Sequence, residues 1–189
     1  MIIAFTGAGI SAESGIATFA TQPGIRDKLT RSFARSNPKE YKEVIDAMTE
    51  ACQNAEPNDA HKALAEYNIP VITMNVDKLH ERAGSKVVLP LHGELPESVV
   101  LYGDPAPNYM IAYDWVGRLR QYPEKDLLLI IGTSFYTDIS NQIRRFAQVC
   151  GIKTIIINED AGRLVRKTLE SFKEYIESYE TFIEREVAF

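Results

Sequence analysis

The chain opens MIIAFTGAGISAESGIATF, residues 1–19. Ile2–Thr6 is a continuous apolar run, the pattern of a strand buried on both faces. It feeds directly into Gly7-Ala8-Gly9-Ile10-Ser11-Ala12, a Gly-x-Gly-x-x-Ala turn, after which a helix is expected. Strand, glycine-rich turn and helix is the arrangement that carries a dinucleotide pyrophosphate. The glycines let the backbone turn tightly and approach a ligand, while the helix N-terminus offers free N–H groups and the positive end of its dipole. Ser11 and Ser14 add hydroxyl donors. The competing reading is a glycine-rich turn that binds nothing.

Four further apolar runs read as buried parallel strands: Pro70–Val76, Val87–Leu91, Leu127–Gly132 and Thr154–Asn158. Helical spacing lies between many of them, over Pro57–Tyr67, Tyr109–Tyr122 and Asp138–Val149. From Leu164 onward, Leu169, Phe172, Ile176, Tyr179 and Ile183 fall on one side of a charged helix. Strands alternating with helices predict an α/β fold, a Rossmann-like parallel sheet with helices on both faces. One interval breaks the rhythm. Residues 16–56 hold no convincing strand: Thr18–Arg26 reads as a loop with a turn at Gln22-Pro23-Gly24, and Asp27–Ala55 as helix interrupted at Asn37-Pro38. Residues 1–189 are therefore read as one domain, with 18–56 an inserted loop and small helical lobe after the first strand.

Composition narrows the function. A net charge of −5 argues against a nucleic-acid surface. No apolar run approaches the ~20 residues of a membrane span, and the first apolar stretch lacks the basic flank of a signal peptide. A cytoplasmic protein is expected. The two cysteines, Cys52 and Cys150, read as buried small hydrophobes. No CxxC pair is present to build a zinc site, so no metal is expected.

An ordinary dehydrogenase needs a second strand soon after the first helix, with an acidic residue at its end to hold the adenosine ribose. Asp27 has the right spacing but falls in the helical lobe. Polar residues instead gather where four strands end: Asn75 and Asp77; His92 with Gly93; Gly132, Thr133 and Ser134; Asn158 and Glu159. Ligands of open α/β sheets bind beyond these carboxyl ends, which makes His92 a catalytic candidate. His61, on a helix, and His80, after Leu79, read as structural.

Together with Ile16, Thr18-Phe19, Pro57-Asn58 and His61, Leu79-His80 and Ala83-Gly84, these motifs resemble the sirtuins, in family order from residue 4 to about 160. The resemblance implies a Rossmann-type domain binding NAD in an inverted orientation, a small lobe, and NAD-consuming removal of acyl groups from lysine. It implies cofactor contacts at Gly7, Ala8, Gly9, Ser11, Ile16, Phe19, Asn75, Val76, Asp77, Gly132, Thr133, Ser134, Asn158 and Glu159. Asn75 and Asp77 would floor the nicotinamide pocket, Phe19 and Ile16 would shield the reactive sugar carbon, and His92 would be the general base on a ribose hydroxyl. Val99, Val100, Tyr102 and Gly103 resemble the segment that pairs with an acylated-lysine peptide by strand addition.

Several positions depart from the family pattern. Only Glu94–Ser98 separates His92-Gly93 from Val99, so the four-cysteine zinc module has no counterpart and no zinc ribbon is expected. The usual Arg beside Thr18-Phe19 is Ala20, with Arg26 the proposed replacement at the phosphates. The usual Gln before Asn75 is Met74, and the usual Gly before Leu79 is Lys78. These departures leave open NAD cleavage that passes ADP-ribose to water or to a protein; a second alternative is a non-catalytic nucleotide-binding module, against which the intact Asn75, Asp77 and His92 argue. The long C-terminal helix, or nothing, would replace the zinc module. Oligomeric state is open.

Overall fold

The computed structural model describes residues 1–18 and 21–178. Five parallel strands form one sheet: β1 (Ile2–Thr6), β2 (Val71–Thr73), β3 (Val88–Pro90), β4 (Leu127–Ile131) and β5 (Lys153–Ile157), in spatial order β3-β2-β1-β4-β5. The register sets Ala4 opposite Val71, Ile2 opposite Leu127, and Leu127 opposite Lys153. Every residue of β1 and β4 is buried, which is why their sequences are continuous apolar runs rather than alternating ones.

The two faces of the sheet carry separate cores. Ile3, Phe5, Leu128 and Ile130 pack beneath α6 (Asn108–Arg118) and α7 (Asp138–Val149), through Trp115, Val116, Ile139 and Ile143. Ile2, Ala4, Leu127, Leu129 and Ile131 pack beneath α4 (Asp59–Glu66) and α8 (Ala161–Ser171), through Ala60, Leu64, Val165 and Leu169. The period-2 alternation of each strand sends successive side chains to opposite layers, and each fully buried aliphatic side chain contributes about 1.5–3 kcal/mol.

Three helices lie between β1 and α4: α1 (Pro23–Lys28), α2 (Arg31–Ser36) and α3 (Pro38–Asn54). Their own core joins Leu29, Ile45 and Cys52 to Leu95 and Leu101, which come from the segment after β3. A parallel bridge pairs Thr30 with Tyr102. The Arg31 guanidinium grips Asp104 through two bonds, Nε to Oδ1 at 2.7 Å and Nη2 to Oδ2 at 2.6 Å. That contact pulls the Asp104 carboxyl down to about 2. The lobe is thus fastened at the site where the chain leaves His92.

Several sequence expectations need correction. The Gln22-Pro23-Gly24 turn is the start of α1, with proline in the first helical turn; its fixed φ suits that position as well as a turn. The helix expected after Gly9 is a 3-10 helix, Ala8–Ser14, ended by Gly15 at φ +82°. The helix expected from Leu164 begins at Ala161 and breaks at Phe172 before α9 (Lys173–Ser178); Tyr179 and Ile183 lie outside the described residues. The strand expected to run to Val76 stops at Thr73. Cys52 is buried but Cys150 only partly so. Among the described residues, no helix is long and apolar enough to cross a membrane.

The opening glycines have a packing reason of their own. Gly9 N donates to Gly132 O at 2.8 Å, and Gly7 N to Ile131 O at 2.9 Å. A Cβ at Gly9 would stand 2.7 Å from Gly132 Cα, with the Gly132 backbone too rigid to yield. Gly9→Ala is expected to destabilise the fold by about 1–3 kcal/mol, the range for forced overpacking; urea unfolding at neutral pH measures it, and an unchanged midpoint would show that the β1 and β4 ends can separate freely.

Candidate active site

The carboxyl ends of all five strands lie on one edge, and the strand-end residues meet there through hydrogen bonds. Asp77 is only 7% exposed. Its Oδ2 accepts from Ser11 Oγ at 2.7 Å and from Asn75 Nδ2 at 3.1 Å, and its Oδ1 accepts from Leu79 N at 3.0 Å, the first residue of the short helix α5 (Leu79–Arg82). Asn75 Nδ2 also donates to Ser11 Oγ at 3.0 Å. The buried carboxylate therefore has three donors, as a buried charge requires. The 3-10 turn after β1 and the loop after β2 are locked together by Ser11, Asn75 and Asp77.

Asn58, at the N-cap of α4, accepts from Ala60 N at 3.0 Å and donates its amide to Ile10 O and Ser14 Oγ at 2.7 and 3.0 Å. Because its Oδ1 is the acceptor, the His61 Nδ1 3.0 Å away carries the proton. His61 Nε2 is then bare, 3.4 Å from Ser11 Oγ. Beside it stands His80, ring centroids 4.8 Å apart. Thr6 Oγ1 donates to Thr73 Oγ1, so His80 Nε2 donates to Thr6 Oγ1 at 3.0 Å. Thr73 Oγ1 in turn accepts from Asn75 N at 3.0 Å. His61 and His80 form a neutral polar layer beneath Asn75 and Ser11. Burial lowers both pKa values, His61 to about 4 against the opposing pull of Asp77, and His80 well below its ordinary value with His61 adding to the effect.

His92 follows β3. Its Nδ1 lies 3.1 Å from Met74 O, a carbonyl that can only accept. Nδ1 therefore holds the proton and Nε2 holds a lone pair, the tautomer a general base needs. Burial lowers the His92 pKa, and the Met74 carbonyl partly opposes that shift. Nε2 lies 2.9 Å from Tyr109 Oη. Sequence reading counted Tyr109 only as a helical position and missed this contact, which joins two residues 17 apart across β3 and α6.

On the other side of β1, Gly132 adopts φ +65°, and a Cβ there would meet Ile10 N at 2.1 Å. Thr133 N donates to Asn158 Oδ1 at 3.1 Å, tying the ends of β4 and β5. Ser134 and Glu159 are exposed nearby in sequence. The Arg26 guanidinium stacks 3.6 Å over the Tyr136 ring, so it reaches the loop after β4. Ile16 and Val76 pack against the lobe core. Ala8 is half-buried at the head of the 3-10 helix. Phe19 lies outside the described residues. Val100 N donates to His92 O at 2.8 Å, and Tyr102 is held on both sides, its N on Leu29 O and its O by Arg31 N. Gly103 follows at φ +95°. The structure thus brings Ser11, Asn75 and Asp77 into one network, joins His92 to it through the Met74 backbone, and sets Gly132, Thr133 and Asn158 on the neighbouring strand ends.

Known proteins are similar to this chain in sequence and in architecture. Residues 7–99 match the Sir2 family profile. A protein from Aggregatibacter actinomycetemcomitans named an NAD-dependent protein deacylase is 34% identical over 173 residues, covering 70% of this chain and 80% of that one. A protein of the same name from Aeropyrum pernix is 33% identical over 204 residues, covering 85% and 82%. The crystal structure of a Sir2 homologue in complex with NAD superposes with a TM-score of 0.79 at 23% identity, over 93% of this chain and 90% of that one. A Sir2 structure with a p53 peptide and NAD gives 0.77 at 23% identity, over 92% and 94%. The chain belongs to the Sir2 family, the sirtuins.

Proposed function

We propose that this sirtuin is an NAD-dependent protein lysine deacylase, releasing nicotinamide and O-acyl-ADP-ribose. The observation that carries the reading is His92: its proton is fixed on Nδ1 and its basic Nε2 is free of a proton, at a strand end beside the Ser11–Asn75–Asp77 network.

The residues present fit NAD. The amide, hydroxyl and carboxylate of Asn75, Ser11 and Asp77 form a buried polar set suited to a carboxamide, with Val76 and Ile16 supplying apolar surface that excludes water. Gly7, Ala8, Gly9, Gly132, Thr133, Ser134, Asn158 and Glu159 lie along the ends of β1, β4 and β5, where backbone and hydroxyl groups suit phosphates and ribose. Arg26 supplies a cation near Tyr136. NAD, when bound, supplies an electrophilic sugar carbon from which nicotinamide leaves as a neutral group. Asn75 and Asp77 orient the carboxamide. His92 takes a proton from a ribose hydroxyl, ending with it on Nε2.

An acylated-lysine peptide would lie along Val99 and Val100. Among the described residues the Val99 backbone and the Val100 carbonyl have no hydrogen-bond partner, whereas Tyr102 is already paired with the lobe. The reading includes a site without a zinc module. It is supported by the short turn Glu94–Ser98, closed by Ser98 N on Glu94 O at 3.0 Å and by Glu94 N on Ser98 Oγ at 3.0 Å. Leu95 within the turn and Leu101 just after it insert into the lobe core, so apolar packing braces the lobe.

The test is nicotinamide release from NAD with and without an acetyl-lysine peptide, with mass spectrometry of the second product. Peptide-dependent release with O-acetyl-ADP-ribose is the expected result. Release without peptide, giving free ADP-ribose or an ADP-ribosylated protein, would replace the deacylase reading with NAD cleavage by the same pocket. No release with acetyl or longer acyl peptides would leave a nucleotide-binding module.

A further inference from the structure

Tyr109 occupies the one nitrogen of His92 that can act as a base. With the Nδ1 proton held by Met74 O, Nε2 has a single lone pair, and the Tyr109 hydroxyl at 2.9 Å is its donor. The ring is not loosely placed. Its neighbour Asn108 opens α6 and donates Nδ2 to Pro90 O at 2.6 Å, two residues before His92. The Tyr109 ring packs against the core cluster beneath α6 and α7, and its centroid is 6.0 Å from that of His92. A ligand hydroxyl that reached Nε2 directly would have to drive a packed side chain out of its place. The phenol oxygen, however, still has acceptor capacity: among the described residues His92 is its only hydrogen-bond partner.

We propose that Tyr109 is a proton relay, placed between His92 and the ribose hydroxyl from which the site must take a proton. The inference rests on the deacylase reading. Tyr109 accepts the proton of that hydroxyl on Oη as its own Oη–H proton passes to His92 Nε2. One O–H bond breaks on the ligand, one forms and one breaks on Tyr109, and one N–H bond forms on His92. The phenol is neutral before and after, and the imidazolium that results keeps its Nδ1–H on the Met74 carbonyl. Burial raises the Tyr109 pKa above its ordinary value, so at neutral pH the group begins as the protonated donor this transfer needs.

Tyr109→Phe keeps the ring and its packing while removing the hydroxyl. It is expected to lower kcat for nicotinamide release by at least about tenfold, short of the full effect of losing a base because water can enter the gap. The KM for NAD and the calorimetric Kd for ADP-ribose should each stay within about twofold, the split expected when only a transition-state interaction is lost. Imidazole 15N NMR of the ligand-free protein should show His92 Nε2 as a bare nitrogen whose signal moves in the variant. An unchanged kcat overturns the relay. So does a raised kcat or tighter ADP-ribose binding, which would make Tyr109 a block on the base. An Nε2 signal indifferent to the substitution overturns the contact itself, with no need for turnover. Wild-type protein that releases no nicotinamide with any acyl peptide overturns the deacylase reading, and the relay with it; peptide-dependent release with a fully active Tyr109→Phe overturns the relay alone.

Discussion

His92→Ala is expected to lower peptide-dependent nicotinamide release by at least about 100-fold, the low end for loss of a general base. The expectation rests on tautomer and position. A carbonyl cannot donate, so Met74 O fixes the proton on Nδ1 and leaves Nε2 as the acceptor. Alanine removes the acceptor while leaving the turn intact, because that turn is set by Gly93, whose φ of +71° lets the backbone pass Ser98 O at a distance where a Cβ would stand 1.7 Å away. The variant should therefore fold, at some cost in stability because Met74 O and Tyr109 Oη lose their partner, and circular dichroism with a cooperative thermal transition would verify it. The same chemistry fixes the acid limb of the wild-type profile. His92 is lowered by burial, with the Met74 carbonyl opposing, so it stays neutral and basic at pH values where an exposed imidazole would already be half protonated. The acid fall in turnover should lie below pH ~6.5. Near-normal turnover by folded His92→Ala would remove His92 from the reaction.

How much of this was legible beforehand depends on whether a signal was local. The central strands were readable because burial on both faces demands unbroken apolar runs, and Ile2–Thr6 and Leu127–Ile131 are such runs; the outer β5, Lys153–Ile157, keeps an apolar run although it is only partly buried. The lobe's helices were legible only in part. Six residues give fewer than two turns, too few for a periodicity, and Pro23 is as suited to a turn as to a helix start. The glycines at 7, 9 and 132 pointed to a ligand cradle. Their close approach to one another is a second cause, which spacing in the chain could not reveal because the partners come from β1 and β4. The strand-end residues were individually readable, but their partnerships were not. Ser11 and Asp77 are 66 residues apart, and Thr6 and His80 are 74 apart. Such pairs exist only once the register places β1 beside β2. Tyr109 was hidden for the same reason, since a tyrosine at helical spacing reads as core.

Acidification from pH 6.5 to pH 4 is expected to destabilise the fold by about 3 kcal/mol through His61 alone, and the loss carries the site with it. His61 is wholly buried, and its pKa falls to about 4 in the folded chain, against ~6.5 when unfolded. Between those values the unfolded chain takes up a proton that the folded chain refuses, so stability is complete above pH 6.5 and declines as pH falls to 4. His80 pushes in the same direction, and its Nδ1 has no hydrogen-bond partner, so a proton added there would be a buried donor without an acceptor. Of two perturbed carboxyls, one lies below this window and one acts within it. Asp104, held at about 2 by Arg31, loses its support only below its unfolded value of 3.8. Glu81, raised by burial, works in the opposite sense and offsets part of the decline. Urea unfolding at pH 7, 5.5 and 4.5 reads the slope directly. His61→Gln should be less stable at pH 7, because Asn58 Oδ1 loses the Nδ1–H donor and the buried ring is lost, yet show a flatter dependence on pH. An equal slope in the variant would assign the acid loss to other groups. Because His61 touches Ser11, and His80 reaches the Asn75 backbone through Thr6 and Thr73, the first structure to loosen in acid should be the floor beneath Asn75 and Asp77. Turnover should then fall at a higher pH than global unfolding does.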